Sequence, residues 1–169
     1  MAIPWAAGLA LGLWMAAVPA AAAEEIVGKP RVIDGDTLDF SGRIVQLYGI
    51  DALEIDQACG ADGRYWACGK EAHWAALNRV SPHWVTCVVR ADSRVDLGDG
   101  SIAAVCYLAG AGQIDFNAWM VEQGWAFADR DVTDDYVAAE DAARRAGRGL
   151  WRGTFVTPWD WRDGQRLSP

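Results

Sequence analysis

The sequence predicts an α+β domain, a small β-barrel of five strands with about three helices packed on and after it. Three observations predict it. Short apolar runs separated by Asp-Gly and Ser-Gly turn signals fill residues 25–48. A helix-period segment then begins at Gly69. Two further strand-like runs, 84–89 and 102–108, precede two more helical segments.

Residues 25–33 read as the first strand. Asp34-Gly35-Asp36 turns the chain, because Asp and Gly tolerate positive φ, and Leu38 and Phe40 begin the second strand. Ser41-Gly42 turns it again into a third run over 44–48, and residues 56–68 form a loop rich in Gly and Asp. From Gly69 the apolar period lengthens: Ala72, Ala75, Ala76 and Val80, with Trp74 and Leu77, suit a helix packed on a sheet and ended by Pro82. The fourth and fifth strands follow at 84–89 and 102–108, separated by a polar segment with Gly98-Asp99-Gly100 as a hairpin turn. Asp115 is placed to cap a short helix over 116–123, which Gly124 terminates. After a short apolar run at 125–128, Thr133 or Asp134 caps a last helix over 135–146. Glu140, Asp141, Arg144 and Arg145 fall on its solvated face. The tail carries Trp151, Phe155, Trp159 and Trp161 and is expected to wrap back onto the core. Most of the ten tryptophans are expected to be core-filling residues rather than stacking platforms. Three strands, a helix, two strands and further helices is the order of an OB-type barrel with helices added.

The chain has 169 residues, enough for one domain with a real core. Residues 1–23 stand apart: there is no charged side chain before Glu24, and Ala21-Ala22-Ala23 supplies the small residues that a signal peptidase needs. The expected organisation is a signal peptide over 1–23, cleaved after Ala23, and a domain over 24–169. The competing reading, raised by the absence of Lys and Arg before Glu24, is a retained N-terminal membrane anchor. Export implies a periplasmic or secreted protein, and in such a protein the four cysteines favour disulfides. Of three pairings, Cys59 with Cys68 and Cys87 with Cys106 are favoured: the first closes a local loop, and the second joins two strand-like runs. Zinc is disfavoured, because there is no CxxC and His73 and His83 lack ligand spacing. The formal charge of −8 argues against general electrostatic attraction to nucleic acid. Any polyanion site must be local, or must use a metal ion to invert the field.

The chemistry concentrates in residues 31–54, where Asp36, Asp51 and Glu54 stand at the ends of converging strands. That is a donor set for a hard divalent cation. Four stretches resemble the staphylococcal nuclease (thermonuclease) family. They are Asp34-Gly35-Asp36-Thr37, then Gly49-Ile50-Asp51-Ala52 with Glu54, and then Asp115-Phe116-Asn117-Ala118-Trp119-Met120-Val121 with Gly124-Trp125-Ala126. The fourth is Ala146-Gly147 and Gly149-Leu150-Trp151 followed by Pro158-Trp159-Asp160-Trp161-Arg162. Their order and spacing carry the resemblance over nearly all of 24–169. It implies an SNase-like OB fold and Ca2+-dependent hydrolysis of phosphodiester bonds in DNA or RNA, single strands foremost. It further implies Asp36, Asp51 and the backbone carbonyl of Ala52 as calcium ligands, and Glu54 as general base.

The resemblance breaks at the phosphate. Where the family carries two phosphate-gripping arginines, this chain has Gln46 and, counting back from Cys106-Tyr107, Ser101. The proline before the glutamate is Leu53, so the turn that aims Glu54 lacks a fixed φ. Glutamine carries no charge and serine is too short to replace a guanidinium fork. Losing one preorganised donor costs about 10²–10³ in rate. Arg43 points to the opposite strand face from Gln46, whereas Arg90 and Arg94 sit where they could reach round. Two functional expectations follow. One is an exported calcium-dependent nuclease of weak or altered activity. The other is a pseudoenzyme serving as a binding or assembly module of the cell envelope, with a protein or glycan partner. A carbohydrate-binding domain built on the aromatic tail is a distant third. A monomer without stable membrane insertion after signal cleavage is expected.

Overall fold

The computed structural model describes residues 23–90, 100–108 and 113–167, so residues 1–22 of the signal peptide expected over 1–23, Arg94 and the turn at Gly98 and Asp99 lie outside the described residues. In chain order the strands are β1 (Glu25–Gly28), β2 (Arg31–Val32), β3 (Thr37–Phe40), β4 (Arg43–Leu47), β5 (Ile50–Ala52), β6 (Cys59–Ala61), β7 (Arg64–Trp66), β8 (Val85–Val89), β9 (Ile102–Leu108), β10 (Ile114–Asp115) and β11 (Ala126–Ala128). The helices are α1 (Cys68–Val80), α2 (Phe116–Glu122), α3 (Val137–Arg145) and α4 (Pro158–Arg162), with one 3₁₀ turn at Gly149–Arg152. The main sheet runs β1-β8-β9-β4-β3-β2, with β10 added to β9, and it curls into the OB-type half-barrel that the sequence predicts. Strand β4 lies parallel to β9, which places Gln46 beside Ala103.

The core fills the inside of the curl, where Leu38, Val45, Val85 and Leu108 meet Phe116, Met120 and Val121 of α2. Cys87 and Cys106 stand directly opposite each other across β8 and β9 and are joined as a disulfide in this core. Asn117 is buried between α2 and the sheet. Its Nδ2 donates to the carbonyls of Tyr48 and Ala104, and its Oδ1 accepts from the Cys106 N–H. A smaller second core holds Leu53, Phe127, Leu150 and the Cys59–Cys68 disulfide, so both favoured cysteine pairings are formed.

Several local expectations are corrected. The run 25–33 is two strands, because Pro30 has no N–H for a ladder; β1 pairs with β8, and β2 pairs with β3. The loop 56–68 contains the β6–β7 hairpin, turned by Asp62 and Gly63 at φ 50° and 71°. The last long helix starts later than predicted and has no side-chain cap. Thr133 instead accepts from the Asp135 N–H, and the Asp134 carbonyl accepts from Val137. Glu140 is not solvated: it is 1% exposed, accepts from the Ala128 N–H and pairs with Arg130 and Arg144. No described tryptophan is fully buried. Trp66, Trp125 and Trp151 pack against the second core, whereas Trp74, Trp84 and Trp159 are exposed. The tail packs back onto the second core through Trp151 and Phe155, as expected, and also carries a helix of its own, α4.

Two predictions concern this scaffold. Asn117→Ala removes the side-chain partner of the buried Tyr48 carbonyl and Cys106 N–H, while the Ala104 carbonyl keeps the Tyr48 N–H, and it should lower the unfolding free energy by about 2–3 kcal/mol in urea titrations with both disulfides intact. Asp115 caps α2 through the Ala118 N–H, while burial raises its carboxyl above the ordinary value. As pH rises, the unfolded chain loses this proton first, near 3.8, so the group's cost to stability develops from there to its raised folded value. Asp115→Asn keeps the cap without that cost. It should be at least as stable as the parent at pH 7, and the difference should vanish below the ordinary carboxylate range. Asp115→Ala should be about 1 kcal/mol less stable than Asp115→Asn at either pH.

Candidate active site

The acids meet where the sheet curls over β5. Gly49 enters β5 at φ +76°, with a hypothetical Cβ only 2.4 Å from Thr133 Cγ2, so only glycine fits there. Strand β5 then pairs with β11. At Ala128 the N–H leaves that ladder for Glu140, and at Ala52 it leaves for Asp36 Oδ2 at 2.5 Å. Both are therefore at non-hydrogen-bonded positions, where N–H and C=O point away from the partner strand. The Ala52 carbonyl is thus turned to the side of Asp36. Asp36 is set by its own loop: its N–H donates to Asp34 Oδ1, and its carbonyl accepts from Leu47.

A cleft of about 480 Å³ opens over these residues, lined by Asp34, Asp36, Asp51, Glu54 and Asp129 with Gln46 on its wall. Enclosure of the Asp36 carboxyl holds it well above the usual carboxylate range; the charges of Asp34 and Asp51 push the same way, and the Ala52 N–H partly offsets them. Burial likewise raises Asp51, against the opposing pull of Arg162. Such a site favours a cation. Among the described residues no three His, Cys, Asp or Glu side chains gather as a ready-made metal cage. What Asp36, Asp51 and the Ala52 carbonyl offer is a smaller set of hard oxygens that fits calcium with water completing the shell.

Glu54 is aimed by burial rather than by proline. Leu53 is 1% exposed and packs in the second core. Behind it, buried Gln57 accepts from the Glu54 N–H at 3.3 Å and gives its own N–H to the Glu54 carbonyl at 2.9 Å. Gly69 lies against that carbonyl so closely that a Cβ there would be 1.8 Å from it.

The residue that sequence reasoning missed is Arg162. Its Nη1 donates to Asp51 Oδ1 at 3.0 Å and to Glu54 Oε1 at 2.9 Å, and its Nη2 donates to Asp51 Oδ2 at 2.5 Å. Helix α4 presents it. Thr157 caps that helix, Pro158 is buried at its start, and Trp159 meets Phe127 edge-on at 5.5 Å. The same Gln57 that braces Glu54 donates from Nε2 to the Val156 carbonyl at 2.6 Å, tying the tail to the acid turn. The only signal in the sequence was the Pro158-Trp159-Asp160-Trp161-Arg162 motif, and 111 residues separate Arg162 from Asp51.

The other candidates are distributed as follows. Gln46 lines the cleft, and so does its neighbour Ala103, while Ser101 lies two residues before Ala103 and off the lining. Arg43 pairs with Glu24, away from the cleft. The guanidinium of Arg90 lies 4.7 Å over the ring of Tyr48, a cleft-lining residue, but Arg90 is itself off the lining and borders a separate pocket with Tyr107, Asp115 and Tyr136.

Residues 44–153 match the family described as staphylococcal nuclease homologue. Over 140 residues the chain is also 38% identical to the succinoglycan biosynthesis protein ExoI of Rhizobium meliloti (strain 1021), covering 79% of this chain and 68% of that protein. The family match includes Gln46, Asp51, Glu54 and Ser101, but it begins after Asp36 and ends before Arg162.

The glycine at the entrance to β5 gives a test of the frame. Gly49→Ala combines a left-handed backbone with a clash against Thr133 and should cost about 2–4 kcal/mol in urea unfolding. Gly42→Ala, at φ +95° with open space around its Cβ, should cost only the backbone part, about 1–2 kcal/mol.

Proposed function

Because this chain belongs to the staphylococcal nuclease family, we propose that it is an exported, calcium-dependent phosphodiesterase acting on single-stranded DNA or RNA, slower than relatives that keep both phosphate-gripping arginines. The observation that carries this is the convergence of Asp36, Asp51 and Glu54 on one cleft, with the Ala52 carbonyl turned to the same side. Asp36, Asp51 and that carbonyl would hold calcium, which when bound supplies a Lewis acid for a phosphoryl oxygen. Glu54, 35% exposed at the cleft wall, would take a proton from an attacking water as general base. Gln57 and Gly69 fix its backbone, so that proton transfer would need only side-chain motion. Export is supported by the two disulfides, which suit an oxidising compartment, and by the expected signal peptide over 1–23. Among the described residues no helix is long and apolar enough to cross a membrane.

A second reading is favoured by one observation: the cleft is lined by five carboxylates, with uncharged Gln46 where the resemblance would put one phosphate-gripping arginine and Ser101, at the other such position, off the lining. It makes the domain a catalytically inactive binding or assembly module of the cell envelope. The relative named as a succinoglycan biosynthesis protein supports a setting beside polysaccharide assembly.

A fluorogenic single-stranded oligonucleotide separates the two. The first reading expects cleavage with calcium, none with chelator, and a drop of about 10²–10⁴ in turnover for Glu54→Gln with calcium binding retained. If calcium binds, as followed by tryptophan fluorescence, and high enzyme concentration cleaves neither DNA nor RNA, the second reading replaces the first.

A further inference from the structure

We propose that Arg162 is the phosphate-binding arginine of this cleft, delivered by the C-terminal helix in place of the arginine pair replaced at Gln46 and Ser101; this rests on the cleft being a phosphodiester site. Among the described residues lining the cleft, Arg162 is the one cation, set against five carboxylates. A phosphate entering such a site needs a positive partner on the protein, and no other lining side chain carries a full positive charge.

The contacts of the guanidinium fit that role. Asp51 holds it end-on through Nη1 and Nη2, and Glu54 takes the second proton of Nη1. That uses three of its five N–H donors. The two left over, on Nε and Nη2, share the adjacent edge, and such an edge matches two oxygens of a phosphate. Half of the side chain remains accessible, so a ligand can reach it. An ordinary surface ion pair would be free to wander and worth little. This one is held by two acids of the site at once, on a helix fixed by Thr157, by buried Pro158 and by the Trp159–Phe127 contact. Gln57 adds a rigid link, since it braces the Glu54 turn with one end of its amide and the approach to α4 with the other. A guanidinium oriented by carboxylates and supported from behind is preorganised for an oxyanion.

The opposite role is a plug, in which Arg162 occupies Asp51 oxygens that calcium would otherwise take. The two roles predict opposite signs. The test uses the mature protein with Arg162→Ala and Arg162→Lys, and Arg166→Ala as a control on tail charge. Arg166 stacks on Trp161 at 3.6 Å and contacts none of the cleft acids. Binding of a fluorescein-labelled, phosphorothioate-linked oligothymidylate is read by anisotropy in calcium, beside cleavage of the phosphodiester form. Calcium affinity is read by tryptophan fluorescence without nucleic acid. Arg162→Ala should weaken oligonucleotide binding about tenfold or more. It should lower kcat/KM by about 10²–10³. Calcium affinity should be unchanged or tighter, which places the loss on the phosphate rather than on the metal. Arg162→Lys keeps the charge without the fork and should recover only a minor part, and it serves as the deciding variant if Arg162→Ala alters the near-UV CD spectrum. Arg166→Ala should match the parent.

Unchanged oligonucleotide binding in Arg162→Ala, or faster cleavage with tighter calcium, overturns the proposal and makes Arg162 a plug. Absence of turnover in the parent refutes only the nuclease reading; Arg162-dependent binding would still uphold the phosphate role. A parent that binds no oligonucleotide in calcium overturns both.

Discussion

Like charges crowded at one edge of a small barrel are the constraint on which the rest of this structure depends. Asp34, Asp36, Asp51, Glu54 and Asp129 share one cleft, and enclosure lifts the carboxyls of Asp36 and Asp51 above their ordinary range. Such a cluster is tolerated only if something opposes the repulsion. Part of the opposition is local, from the Ala52 N–H to Asp36 and from Arg162 to Asp51 and Glu54. The remainder is rigidity: a frame that cannot relax keeps the acids together despite their repulsion. A domain organised only for stability would have no use for this arrangement, and that is why the cleft, rather than the fold alone, carries the functional conclusion.

The frame is built from neutral polar groups placed where the backbone would otherwise be unsatisfied. Asn117 satisfies the Tyr48 carbonyl and the Cys106 N–H, between α2, the end of β4 and β9. Glu140, although charged, plays the same part for Ala128 of β11, with Arg130 and Arg144 offsetting its burial. Gln57 does so for the Glu54 turn and the tail. Each sits one step behind a residue of the site. Strand β5 is held on one side by β11 and on the other by Asp36, so Asp51 inherits its position from two independent contacts.

Much of the barrel was legible because its signals are local. The turn residues at Asp34-Gly35 and Ser41-Gly42, the cap at Asp115 and the opposed cysteines of β8 and β9 each act within a few residues or across one ladder. The break in the run 25–33 is itself local, since Pro30 cannot donate to a ladder. The other misses are of another kind. Glu140 was assigned to solvent because a helical pattern separates faces but does not reveal a buried N–H such as that of Ala128 on a neighbouring strand. The acids of the cleft were found because they crowd into residues 31–54, whereas Arg162 comes from far along the chain. Spacing arguments look for a replacement arginine near the lost one, and the structure supplies a cation from the opposite end.

Moving that positive charge from strand to tail changes what the site depends on. A strand-borne arginine is fixed by the ladder that makes the barrel, so it is present whenever the domain is folded. Arg162 is fixed by a five-residue helix, too short to persist alone. That helix survives through its Thr157 cap, the burial of Pro158, the Trp159–Phe127 contact and the Gln57 link. The barrel can therefore be intact while the cleft lacks its cation. Local unfolding of the tail, at a free energy below that of global unfolding, would expose five acids without a guanidinium. The positive charge of this site is thus a conditional property, set by the docking of one short segment, whereas its negative charge is built into the sheet.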